Sequence, residues 1–254
     1  MARYTARDNN SENGVEGEDV LINRYNLCDE EHSPSFDYKE VLVFISDWIW
    51  FVSVISSLLY STIGIVLAYV VLKDASNHGH PVHAFAGNFM MNLIGMKYGD
   101  IINNLTIFYV NLIAAFMNTL YVLTFHKYAQ DQWTEIYMPM GYAIAVIFIS
   151  FVYAHTEDPG KIKSRFGLLM VTLYIMYMSM PLLQLPEAIF TKDVTFISYP
   201  MNLMGFLMSF FWLLYAVVLE NQYLTAANLV GLLITGVQLL VCVSLGIADT
   251  KLRT

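Results

Sequence analysis

Charge is scarce in this chain of 254 residues: only 13% are Asp, Glu, Lys or Arg, while 57% are hydrophobic. That charged fraction is about half that of an ordinary soluble protein, and soluble enzymes of this length do not show such a composition. Cysteine is nearly absent, with Cys28 and Cys242 alone. The two give no zinc spacing, and a disulfide between them is not expected, because Cys28 falls in a polar tail and Cys242 in an apolar run. There is no Gly-rich phosphate loop, no nucleophile elbow and no Ser–His arrangement that suggests catalysis. Enzyme function therefore has no support, no metal site is indicated and no cofactor is implied. No basic patch points to nucleic acid. The first forty residues also lack the apolar core of a cleavable signal peptide, so the first apolar span is expected to act as the uncleaved targeting element.

What the chain does have is long apolar runs separated by short polar breaks. They cover roughly 43–72, 83–99, 103–126, 136–155, 166–190, 195–218 and 222–248, and runs of about 20 such residues cross a bilayer as helices. The second is short and interrupted by Asn88, Asn92 and Lys97. Ahead of them, residues 1–40 hold ten acidic and four basic side chains, a net −6, and leave the rest of the chain with −2. A segment so polar and acidic is expected to be mostly disordered. Lys73, Lys127, Lys192, Lys251 and Arg253 outnumber Lys97, Lys161, Lys163 and Arg165 on the opposite ends. By the positive-inside rule the N-terminus is outside and the C-terminus cytosolic. Asn9-Asn10-Ser11 is then a glycosylation sequon available at Asn9. Asn104-Leu105-Thr106 lies too close to the membrane to be used.

The runs contain a repeat. Lys73-Asp74, Pro81, Tyr98-Gly99 and Asn111 are echoed by Lys192-Asp193, Pro200, Tyr215-Ala216 and Asn228. Lys to Pro is eight residues in both copies and Tyr to Asn thirteen, and only the Pro-to-Tyr stretch differs, by two. Three spans, one linker span and three more is the division that fits. A single linker span puts the start of both triplets on one side, so the halves are parallel, related by an axis along the membrane normal. The expected fold is thus all-α and integral to the membrane. A first three-helix bundle (41–130) and a second (161–249) flank a linker helix with its loops (131–160), with a short tail at 250–254.

Polar side chains inside apolar helices are the candidates for chemistry. Asn111 and Asn228 lie early in the third helix of each half, where an unpaired carboxamide costs a few kcal/mol. The bland reading is inter-helix hydrogen bonding, worth roughly 0.6–2 kcal/mol. The repeat favours a pair facing across the pseudo-axis, offering donors and acceptors to an uncharged, polyhydroxylated ligand. Trp212, three residues before Tyr215, is either a packing residue or a wall on which a sugar ring stacks. Gly95 holds the equivalent place before Tyr98, which leaves one wall open. Pro81 and Pro200 begin the second helix of each half. Pro181 and Pro186 interrupt the fifth, where proline removes a backbone hydrogen bond and permits a hinge. Counted from the repeat, Thr62 stands opposite Pro181. No carboxylate sits mid-span beside the two Asn, which favours uncoupled diffusion over ion coupling.

The motif order resembles the SWEET family of sugar transporters. Trp212-Leu213-Leu214-Tyr215-Ala216 followed by Asn228 is similar to that family's Trp-x-x-Tyr-Gly and early third-helix Asn, and Gly95-Met96-Lys97-Tyr98-Gly99 followed by Asn111 is its first-half counterpart. Met180-Pro181-Leu182 and Thr191-Lys192-Asp193 resemble two further signatures. SWEET carriers are an instance of parallel repeats, so the resemblance and the span count agree. It implies a bidirectional uniporter of mono- or disaccharides working by alternating access. Asn111, Asn228, Trp212 and Gly95 would line its substrate site, and Pro81, Pro181, Pro200, Tyr98 and Tyr215 would be its hinges and gates. Its expected partners are a sugar and the lipid bilayer, with homo-oligomerisation open. Its expected home is the plasma membrane, with Golgi or other endomembranes as alternatives. Departures are Gly95 for Trp, Ala216 for Gly, and no first-helix proline. Two other readings stay open: a PQ-loop-type carrier of another solute such as an amino acid, and a seven-helix receptor.

Overall fold

The computed structural model describes residues 46–74, 82–191 and 199–253, and Val41–Thr254 forms one unit. Pro81, Lys192, Asp193, Asn9 and the acidic tail lie outside the described residues. The helices are α1 (Ser46–Asp74), α2 (Val82–Ile101), α3 (Leu105–Tyr128), α4 (Met138–Thr156), α5 (Ile162–Ser179), α6 (Leu185–Thr191), α7 (Tyr199–Val218) and α8 (Gln222–Arg253). A π-helical turn, Trp133–Tyr137, leads into α4. The expected fifth span is not one helix. It breaks into α5, a 3₁₀ turn at Met180–Gln184 and the short α6. Pro181 has no N–H to give the carbonyl of Tyr177, and Pro186 repeats the omission one turn later, so the α-helical ladder cannot run through.

Among the described residues, five segments are each long and apolar enough to cross a membrane by themselves: Trp48–Lys73, Leu105–Tyr128, Trp133–Thr156, Met201–Val218 and Gln222–Leu245. The other two, α2 and α5, are the more polar. Asn88, Asn92, Lys97 and Asp100 fall in α2, and Lys163 and Arg165 begin α5. These two helices pack on each other in the interior, and α4 covers α2. The outer surface is apolar almost everywhere, with Trp48, Leu105, Phe116, Phe148, Leu168 and Leu240 all more than 60% exposed. Helices hydrophobic on every side, with large side chains facing outwards, belong in lipid.

The two halves are built alike. In the first, α1 packs on α3 and α3 on α2; in the second, α5 packs on α8 and α8 on α7. Between them, α1 meets α7 and α2 meets α5, the exchange that a two-fold relation requires. Small hydroxyls let α1 and α7 approach. Ser53 donates to the carbonyls of Ile49 (2.7 Å) and Phe211 (3.0 Å), the second being on α7, which satisfies the hydroxyl and links the halves. At the loop ends, Lys97 pairs with Asp100 at 2.7 Å and Arg165 with Glu157 at 2.9 Å. The Arg165 guanidinium, with help from the Tyr153 hydroxyl and the Asp158 N–H, holds the Glu157 carboxyl below its ordinary range.

The tightest crossing is between α2 and α3, at Gly99. A Cβ there would lie 2.7 Å from the backbone nitrogen of Phe108 and 3.1 Å from the carbonyl carbon of Ile107. Backbone cannot step aside as a side chain can. The matching residue in α7 is Ala216, fully buried, so the second crossing already has room for one methyl. Gly99→Val is expected to destabilise the protein by about 1–3 kcal/mol or more through overpacking. Melting in detergent should show Tm and the yield of folded protein falling, with Gly99→Ala falling less. An unchanged melting temperature for Gly99→Val would contradict this account of the crossing.

Candidate functional site

The α2–α3 and α7–α8 hairpins match residue for residue at a constant offset of 117. In each, a left-handed residue, Asn103 (φ 55°) or Glu220 (φ 52°), precedes an asparagine. That asparagine, Asn104 or Asn221, starts the next helix. Its N–H bonds back to the carbonyl of Gly99 or Ala216. Its Oδ1 accepts from the first turn, from Ile107 N–H in one half and from Tyr223 and Leu224 N–H in the other. This is helix N-capping, done twice.

Each cap also reaches into the opposite half. Tyr98 and Asn221 share hydrogen bonds of 3.0 and 3.1 Å between the phenol and the amide. Asn104 Nδ2 donates to the Tyr215 hydroxyl at 3.4 Å. A tyrosine of each second helix is thus tied to the cap of the other half's third helix, and two such clasps hold this end of the molecule together. Asn104, the acceptor residue of the second sequon, has its amide engaged here.

Beside the clasps, between the halves, lies a cavity of about 180 Å³. Gly95, Asn111, Trp212 and Asn228, which the repeat and the motif order single out, all line it. Each Asn donates Nδ2 to a carbonyl of its own helix, Asn111 to Ile107 (2.7 Å) and Asn228 to Leu224 (2.8 Å). These are turns of the same helix, so the inter-helix pairing expected of a lone membrane Asn is not what holds them. Trp212 is buried, donates Nε1–H to Ser57 Oγ at 2.7 Å, and meets Tyr215 edge-on with ring centroids 5.5 Å apart. The wall opposite is not open. At Gly95 a Cβ would stand 2.7 Å from Asn111 Oδ1, so the Asn111 amide occupies the room that a second aromatic ring would need.

The cavity continues away from the clasps to Phe85, Tyr177, Met178 and Met201. There Asn88 joins three helices. Its Oδ1 accepts from Tyr177 on α5 at 3.0 Å, and the Tyr60 phenol on α1 lies beside it. The sequence shows Asn88 and Asn92 only as interruptions of a span, yet both line the cavity. The offset of 117 extends here too. Tyr177 contacts Asn88, and Tyr60 lies 3.7 Å from the Cβ position of Gly205, the counterpart of Asn88. Tyr60 then corresponds to Tyr177, and Gly64 rather than Thr62 stands opposite Pro181. The first half lacks the proline in either register. Pro200 falls in the first turn of α7. Among the described residues, no group of acidic, His and Cys side chains could hold a metal ion.

Residues 164–246 match the model of a family described as sugar efflux transporter for intercellular exchange. The sugar transporter SWEET1 of Danio rerio is 29% identical over 151 residues, 58% of this chain and 68% of that protein. The protein of the same name from Xenopus tropicalis is 27% identical over 192 residues, 73% and 89% of the two chains. The solved 3.7 Å structure of a eukaryotic SWEET transporter superposes with a TM-score of 0.69 at 19% identity, covering 81% of this chain and 99% of that one. In sequence and in fold the chain is similar to SWEET transporters. The structural likeness gives the fold, seven helical spans in two parallel halves; the break of the fifth span at Pro181 is seen in the helices themselves.

Proposed function

We propose that this protein is a SWEET-type carrier that moves small neutral sugars across a membrane by facilitated diffusion, exposing the central cavity to one side and then the other. The observation that carries the reading is the lining itself: among the described residues that line it, none is charged. A zwitterionic or anionic solute would leave its charges unpaired there, at a cost of several kcal/mol. A sugar needs only hydroxyl partners and a flat face, and Asn111, Asn228, Ser57, Asn92 and Trp212 provide both. The size is also apt. A water needs about 10–15 Å³ of cavity space, so 180 Å³ accommodates on the order of a dozen heavy atoms. A hexose matches that, whereas a disaccharide needs a wider state. Five methionines, Met91, Met170, Met178, Met201 and Met208, line the rest and can repack around different ligands.

In this reading the two tyrosine–asparagine clasps close one mouth and the Asn88 knot lies towards the other. The N-terminus of α1 is outside, which makes the clasped mouth the outer one, and the plasma membrane is the site of action. A net hydrogen bond is worth about 0.5–1.5 kcal/mol, so two clasps hold about 1–3 kcal/mol, the scale on which alternate states of one protein differ. Thermal rocking can break them without an ion gradient. The 3₁₀ turn at Met180–Gln184 supplies a place in the fifth span where a ladder bond is already missing.

The test is flux of radiolabelled sugars into proteoliposomes with no ion gradient, with amino acids as the competing arm. Saturable uptake of at least one monosaccharide and none of the amino acids is expected. Folded protein that moves no sugar, or that moves an amino acid in preference, would overturn the proposal.

A further inference from the structure

We propose that Asn118 is a second substrate-hydroxyl acceptor, placed below the Asn111–Asn228 level and found in the first half only. The inference rests on the sugar-transport reading above. Asn118 is 6% exposed, and it lines the cavity. Its Nδ2 donates to the carbonyl of Ala114 at 2.8 Å, but among the described residues no donor reaches its buried Oδ1. Buried acceptors without a donor are rare in native proteins, and the cavity that Asn118 lines is where a donor would come from. A position kept for packing alone would be filled by an apolar side chain.

The other half shows the self-sufficient alternative. At the offset of 117, the counterpart of Asn118 is Thr235, whose hydroxyl donates to the carbonyl of Gly231 at 2.7 Å. Thr235 leaves no buried acceptor wanting. Asn118 also follows Asn111 by seven residues, two turns on one face and about 10 Å along the axis. A ring bound at Asn111 does not span that distance, so Asn118 meets the sugar at a different point of its passage. The terminal torsion of an asparagine is soft. A small rotation turns the covered oxygen towards the cavity while the Ala114 carbonyl stays within reach of the amide.

The ligand class is a neutral polyol that presents a hydroxyl donor. The test compares the wild-type chain with Asn118→Thr, which copies the second half, in proteoliposomes loaded with glucose and its singly deoxygenated analogues. Asn118→Ser serves as a second variant should the first not fold. The expected result is a five- to tenfold rise in KM for the parent sugar, with Tm in detergent unchanged or raised. In addition, one deoxy analogue that is penalised in the wild type should lose that penalty in the variant. A purely structural role would lower Tm and leave the deoxy profile alone. Folded variants with wild-type KM values and an unaltered profile overturn the proposal. Wild-type protein that carries no sugar overturns the underlying reading, and the assignment of Asn118 falls with it.

Discussion

Replacing Asn228 by alanine is expected to lower kcat/KM for sugar by about ten- to a hundredfold while Tm shifts little, and Asn111→Ala is expected to do the same. In the structure each side chain is tied only to a carbonyl of its own helix, four residues back. That carbonyl also accepts the backbone bond of the helix, so removing the amide orphans no buried group. The loss falls on the ligand. A sugar hydroxyl that leaves water for an apolar cavity and finds no partner costs about 1–3 kcal/mol, and every 1.4 kcal/mol is a factor of ten. The two variants should differ in one respect. The Asn111 amide lies against Gly95, so its removal leaves a void, and some loss of stability should accompany the loss of transport. Asn228→Ala should show the transport defect more cleanly. Normal flux in both variants would refute the assignment of the cavity as the sugar site.

How much of this was legible beforehand varies by residue, for physical reasons. The pairing of Asn111 with Asn228 can be read because both sit on regular helix at a fixed distance from a tyrosine, and helix geometry conserves such spacing. The same offset also pairs Asn104 with Asn221, but their neighbours disguise it. Asn104-Leu105-Thr106 looks like a glycosylation site, and Glu220-Asn221-Gln222 looks like an ordinary loop. The capping preference for Asn at a helix start is the signal that marks both. Thr62 was set against Pro181 because α1 and α5 share no motif to fix their register, and only the contacts of Tyr60 and Tyr177 do so. The proline break was expected, but not its length, since a kink and a full 3₁₀ turn with a new helix start from the same missing N–H. The open wall at Gly95 was wrong because sequence does not show a neighbour's rotamer: Asn111 had filled the space.

The clasps yield the second large effect, because they act on a population rather than on a contact. Tyr98→Phe together with Tyr215→Phe keeps both rings and removes both hydroxyls. Losing about 1–3 kcal/mol from the clasped state shifts the balance towards the state open at that mouth by about five- to a hundredfold. A cysteine at Leu224, which lines the cavity near the clasps, reports the shift in a background where Cys28 and Cys242 are serine. Its modification by a membrane-impermeant thiol reagent, added from the clasped side, should accelerate by that factor. The two singles should not be equal. Tyr98 is held at 3.0–3.1 Å and Tyr215 at 3.4 Å, and hydrogen bonds weaken with distance, so Tyr98→Phe should account for most of the change. If the labelling rate of the double variant matches that of the parent, the clasps do not gate this mouth. Transport itself should respond less than accessibility. A carrier must close as well as open, and a mouth that opens too readily speeds one half of the cycle while slowing the other. A gain in labelling with flat or reduced flux is therefore the joint signature of alternating access, whereas a pore would gain in both.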